Sequence, residues 1–175
     1  MNNFSVDFAG GKEIREQLNQ LGDKVAKRAT ANALRQAAQL VKEAAVSKVT
    51  QYDRADTTNK IHENIAIRMM SAKKLRQRGG VDESSVGISI GVLGGAISYA
   101  NSKLNRQKNR VGMMYPTLGS SDNPGGNTFY WRFLELGTKH AAARPFLRPA
   151  FDNQTSQLLD TIVAELNNQI GKALK

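Results

Sequence analysis

No cysteine occurs in the chain of 175 residues, so disulfides, thiolate metal centres and cysteine nucleophiles are excluded. Histidine is nearly as scarce, and its two copies, His62 and His140, lie in no HExxH or comparable metal-ligand spacing. No Gly-x-Ser-x-Gly elbow is present. Gly91-Val92-Leu93-Gly94-Gly95 follows a strand pattern, but no helix start comes after it, which argues against a phosphate-cradling loop. Asp53 and Asp56 lie in a polar stretch with no partner acid, and plain solvation is the expectation for both. Apolar runs stay well short of the roughly 18 residues of a membrane span. The N-terminus, Met1-Asn2-Asn3-Phe4-Ser5-Val6-Asp7, lacks the basic and apolar regions of a secretory signal. The expectation is a soluble protein made in the cytosol, with no cofactor, no metal, no catalytic residue and no membrane partner.

Acidic residues are also in deficit. Asp and Glu number 15 against 25 Lys and Arg, for a net charge of +10. The excess is concentrated between residues 60 and 110. Lys60, Arg68, Lys73, Lys74, Arg76, Arg78, Lys103, Arg106, Lys108 and Arg110 stand there against Glu63, Asp82 and Glu83, ten positive against three negative. A focused basic region suits a polyanion such as DNA; a solvated basic surface accounts for it equally well. Length, 40% hydrophobic content and 23% charged content fit one globular domain over residues 1–175.

Phe4, Val6 and Phe8 alternate with polar residues, as in a short half-buried strand. Ile14, Leu18 and Leu21 then share one helical face, ended by Gly22. Asp23 is placed to cap a second helix reaching about Val49, with an inner face of Val25, Ala29, Ala33, Ala37, Leu40, Val41 and Ala44. So many alanines allow close packing against a neighbour. Ile61–Ile65 suits one helical turn, Ile65–Met70 a strand, Ser71–Glu83 a basic turn, and Val86–Val92 the clearest strand. Ile97–Ala100 begins another. Residues 101–127, rich in Asn, Ser, Gly and Arg, read as a long exposed loop that is flexible or ordered by a partner. Leu158, Ile162, Leu166 and Ile170 mark a final helix from about Phe146 to Leu174. The fold class is α+β: two N-terminal helices, an antiparallel β meander with a long exposed loop, and a long C-terminal helix.

Aromatics make up only 6% of the chain, yet six of the eleven fall between Phe129 and Phe151. Aromatic clusters mark cores or interfaces. Tyr130–Leu136 reads as a short apolar helix, with Gly137 at its C-terminal cap. Pro145 and Pro149 stiffen the entry to the last helix. Glu135 sits among apolar residues, where a bare carboxylate is costly. Arg144 or Arg148 could pair with it, within one chain or across two subunits.

The run Phe133-Leu134-Glu135-Leu136-Gly137-Thr138, followed by Ala143-Arg144-Pro145-Phe146-Leu147-Arg148-Pro149-Ala150-Phe151, resembles the tail-component proteins of long-tailed bacteriophages, at the neck or in tail completion. Thr58-Asn59-Lys60-Ile61-His62-Glu63-Asn64-Ile65 echoes that family's TG-x-L-x-x-S-I element, with Asn59 in place of Gly and Asn64 in place of Ser. The resemblance implies a non-enzymatic virion subunit, assembled in the host cytoplasm. It would act at the neck or head-proximal end of the tail, in tail completion and head–tail joining, as part of a ring around the DNA channel. Its partners would be copies of itself, connector proteins and tail-terminator or tail-tube proteins. Trp131, Phe133, Glu135, Gly137, Thr138, Arg144, Phe146 and Arg148 are then the expected interface or structural brace. Lys73, Lys74, Arg76, Arg78, Lys103, Arg106, Lys108 and Arg110 are the expected contacts to DNA or a partner. The alternative is a stand-alone basic nucleic-acid-binding protein, although the aromatics are not interleaved with the basic residues as a stacking surface requires.

Overall fold

The computed structural model describes residues 11–53, 59–77, 85–94, 97–115 and 124–173. The expected strand at Phe4–Phe8 lies outside them. The chain folds as two compact units. The first comprises Met1–Val41, Ile67–Ser89 and Asn153–Lys175; the second comprises Lys42–Ala66 and Ile90–Asp152.

The first unit is built on helix packing. Helix α1 (Gly11–Gln20) and helix α2 (Asp23–Thr50) are joined at Gly22. The Gly22 carbonyl accepts the N–H of Ala26 at 3.1 Å, so Gly22, rather than Asp23, occupies the capping position. Asp23 instead places its negative charge in the first turn, where the helix dipole favours it. Ile14 and Leu21 of α1 pack with Ala33 of α2 and with Leu166 and Ile170 of the last helix, α6 (Leu147–Ala173). Leu18, Ala26, Ile162 and Val163 close around them. Burying each large aliphatic side chain contributes about 1.5–3 kcal/mol, and the alanines let the helices approach closely.

The inner face of α2 differs from the expected one. Val25 is 45% exposed, while Ala29, Ala33, Ala37, Val41, Ala45 and Val49 are buried at successive steps of four. Ala44 is only half-buried, and Ala45 takes its place. This alanine face is buried within the chain.

Strand β1 (Ile65–Met69) pairs with β2 (Ile88–Val92). Met70 N–H donates to Gly87 and Leu93 N–H to Asn64, so the two strands run antiparallel. Strand β3 (Ile97–Ser98) pairs antiparallel with β4 (Met114–Tyr115) in a separate two-stranded sheet, with Ile97 opposite Tyr115. The α+β class holds; among the described residues the strands form two short sheets in place of one meander.

Two segments expected to lack regular structure have it. Ala72–Gln77 forms a short helix, α3, introduced by Ser71, whose Oγ accepts the Lys74 N–H at 3.4 Å. Within 101–127, Lys103–Gln107 forms helix α4, capped by Ser102 through the Asn105 N–H at 3.2 Å. Arg110 is fastened behind it. Its Nε donates to Asn105 Oδ1 at 2.9 Å, and its guanidinium lies 4.4 Å from the centre of the Tyr99 ring. The far end of the segment, at Gly125 and Gly126, is buried.

Candidate assembly interface

The second unit is held by a buried amide. Asn64 is fully buried, and its Oδ1 accepts the Gly125 N–H at 2.7 Å. Its Nδ2 donates to the Gly126 carbonyl at 3.0 Å and to Thr128 Oγ1 at 2.8 Å. The Thr128 hydroxyl donates onward to the Leu93 carbonyl at 2.7 Å. Asn59 assists, its Oδ1 accepting the Asn127 N–H at 2.9 Å. Lys60 N–H donates to the Gly125 carbonyl at 2.9 Å. The approach is so close that a Cβ at residue 125 would land on the Lys60 carbonyl oxygen, which is why glycine stands there. Asn59 and Asn64 are the two positions that depart from the tail-component pattern, and both fasten the 125–128 segment.

That segment delivers helix α5 (Trp131–Leu136), whose first N–H, from Trp131, donates to the Thr128 carbonyl at 3.0 Å. Gly137 ends α5 with φ of 74°, a backbone conformation natural to glycine, and donates its N–H to Phe133. A side chain at 137 would press on the backbone of Ala141 and Ala143. Thr138 Oγ1 then accepts the N–H groups of His140 and Ala141, at 3.2 and 3.1 Å, and its own N–H donates to the Ala141 carbonyl. Arg144 N–H returns to the Leu134 carbonyl at 2.7 Å.

Glu135 finds backbone instead of arginine. Its Oε2 accepts the N–H groups of Phe146 and Leu147 at 2.7 and 3.0 Å, and Oε1 accepts that of Arg148 at 3.0 Å. A carboxylate thereby satisfies three of the orphan donors at the start of α6 and sits at the positive end of its dipole. Among the described residues, no ion pair joins Glu135 to Arg144 or Arg148. The Arg144 guanidinium lies 5.8 Å from the centre of the Tyr52 ring.

The aromatic stretch divides by burial. Phe146 is fully buried and Trp131 half-buried, with the Arg132 guanidinium 5.6 Å from its ring centre. Phe129, Phe133 and Leu136 recur at helical spacing and are 47%, 54% and 68% exposed. Phe129 meets Phe133 edge to face at 6.3 Å between ring centres. Exposed large apolar groups in one stripe mark a binding surface more than isolated ones do.

The basic side chains remain outward. Lys73, Lys74 and Arg76 on α3 are exposed, as are Lys103, Arg106 and Lys108 on and after α4. Arg106 is oriented by Asn101 Oδ1 at 2.9 Å. Arg110 is half-buried and held in place as described above. Arg78 lies outside the described residues.

Asp53, expected to be solvated, is also recruited. Its side chain is 3% exposed. It accepts the Ile61 and His62 N–H groups at 2.8 and 2.9 Å, and approaches His62 Nδ1 at 2.7 Å. This closes the turn before Asn64. Burial, together with the Asp53 carboxylate, raises the pKa of the Tyr130 hydroxyl, which donates to the Asn59 carbonyl at 3.4 Å. Asp56 lies outside the described residues. Among the described residues, no group of His, Asp and Glu could hold a metal, and no helix is long and apolar enough to cross a membrane. Asn64 and Asp53 escape sequence reading because their partners have no local signature.

Asn64→Ala strands buried donors and acceptors, each costing about 1–3 kcal/mol. The urea midpoint should fall markedly, and a midpoint equal to that of the parent would contradict the clamp. Glu135→Ala should also destabilise, by about 1–3 kcal/mol, whereas Arg148→Ala should stay within about 0.5 kcal/mol. Equal losses in the same denaturation assay would restore an ion pair as the brace.

Comparison with known proteins returns a family match over residues 12–137, from α1 to the glycine that ends α5. The matched family is the HK97-gp10-like family, described as "Bacteriophage HK97-gp10, putative tail-component". Ala143–Phe151, the second part of the motif that resembles phage tail components, lies beyond the matched residues. No curated protein and no solved structure matches the chain. The match covers well over half of the 175 residues, and the chain belongs to the HK97-gp10-like family of bacteriophage tail components.

Proposed function

We propose that the chain is a non-enzymatic structural subunit of a phage virion, acting at the neck or head-proximal end of the tail in tail completion and head–tail joining. Its copies form a ring around the DNA channel and meet connector and tail-terminator or tail-tube proteins. The observation that carries this reading is the exposed stripe of Phe129, just before α5, with Phe133 and Leu136 on α5, whose two ends are fastened by Thr128 and Gly137. Aromatic anchors on a preorganised element are what interface cores use. A ring needs a second, different patch on each subunit. The surface around α4 and the β3–β4 ribbon supplies one, since the alanine face of α2 is buried. Lys103, Arg106 and Lys108 suit sequence-independent contact with passing DNA. Family membership supports the tail assignment, and the neck position follows from the motif resemblance.

Phe133→Asp, supplied in trans to a phage lacking the gene, should leave the circular dichroism spectrum and melting unchanged. It should abolish self-association in light scattering and lower titre sharply, since loss of an aromatic anchor worth about 2 kcal/mol weakens a contact roughly thirtyfold. Normal titre and self-association would remove α5 from the interface. Lys103→Glu with Lys108→Glu should lower titre without unfolding the protein; unchanged titre would demote these lysines to solvated surface.

A further inference from the structure

A second surface, in the first unit, is independent of α5. Ala31 of α2, Met69 and Met70 at the end of β1, Leu75 of α3 and Val86 before β2 line an open cleft of about 390 Å³. Lys27 and Arg28 stand on its α2 wall. Its floor is methyl and thioether, and Met69 is 41% exposed there. Gly87 helps to shape it. A Cβ at 87 would come 2.5 Å from Leu75 Cδ2, so a larger residue there would require the Leu75 side chain to shift.

Among the described residues, the charges that line and flank the cleft have one sign. None of its lining residues is acidic. Lys73, Lys74 and Arg76, which flank Leu75 in α3, are all exposed. Among the described residues, neither Lys27 nor Arg28 forms an ion pair.

We infer that this cleft binds an acidic amphipathic segment of a partner protein, which seats one or two apolar side chains among the methionines and sets its carboxylates against Lys27, Arg28 and the α3 cations. The volume lies toward the small end of ligand-sized pockets, enough for anchor side chains rather than a whole cofactor. Methionine suits the task, because its unbranched thioether adapts to differently shaped anchors. A helix laid in a groove by spaced apolar anchors is a standard recognition mode. Charge complementarity selects the acidic partner and steers its approach. DNA fits less well, since phosphates would engage the cations and leave the apolar floor uncovered.

The test is fluorescence anisotropy with the full chain. The probe is a fluorescein-labelled Glu/Ala helical peptide bearing two leucines four residues apart. Saturable binding is expected, weakened about tenfold or more by Lys27→Glu with Arg28→Glu, and likewise by Met69→Glu. Replacing the peptide leucines by alanine, or its glutamates by lysine, should abolish binding. Phe133→Asp should not change it, which separates this site from the α5 surface. Absence of saturable binding, equal binding of the leucine-free peptide, or stronger binding of labelled duplex DNA that the same substitutions remove would each overturn the inference.

Discussion

The buried Asn64 amide is the constraint on which the second unit depends. One side chain answers a donor at Gly125, an acceptor at Gly126 and the Thr128 hydroxyl, which in turn reaches Leu93. A turn, a strand end and a distant loop are thereby set in register. Consequences run down the chain. Thr128 receives the first N–H of α5, α5 carries Glu135, and Glu135 caps α6 through three backbone donors. A fully satisfied buried polar network specifies one arrangement, because any alternative leaves costly unpaired groups. Asp53 adds a second point of the same kind at Ile61 and His62.

The functional consequence is a short helix presented rigidly with its apolar stripe outward. Folding has already met the cost of ordering α5, so the proposed binding through Phe129, Phe133 and Leu136 would lose little further entropy. Six polar side chains of the second unit hold backbone in place. Asn59, Asn64, Asp53, Thr128, Thr138 and Glu135 all accept from main-chain N–H groups or donate to carbonyls, or do both. Such use of polar chemistry agrees with a particle component that works by shape.

Much of this was legible in the sequence where the cause is local. The periodic apolar residues of α1 and α6, the glycine ending α5 and the unusual placement of Glu135 all point to what is found. Glu135 among apolar residues calls for a partner, and the expected partner is arginine; that the partners are the N–H groups of 146–148 follows only from how Thr138–Arg144 folds back. Val25 lies on the helical face implied by the pattern but at the end of α2, where its side chain stays open to solvent. Ser71 and Ser102 cap α3 and α4 from within stretches otherwise rich in basic and polar residues, which give no helical periodicity. Asn64 and Thr128 were not legible, because their partners lie some sixty residues away in sequence and polar pairing carries no periodicity.

Electron microscopy of particles from a phage or prophage lacking this gene tests the central claim most directly. The account predicts filled heads separate from tails, or tails of abnormal length that fail to join. Normal, infectious virions would contradict it.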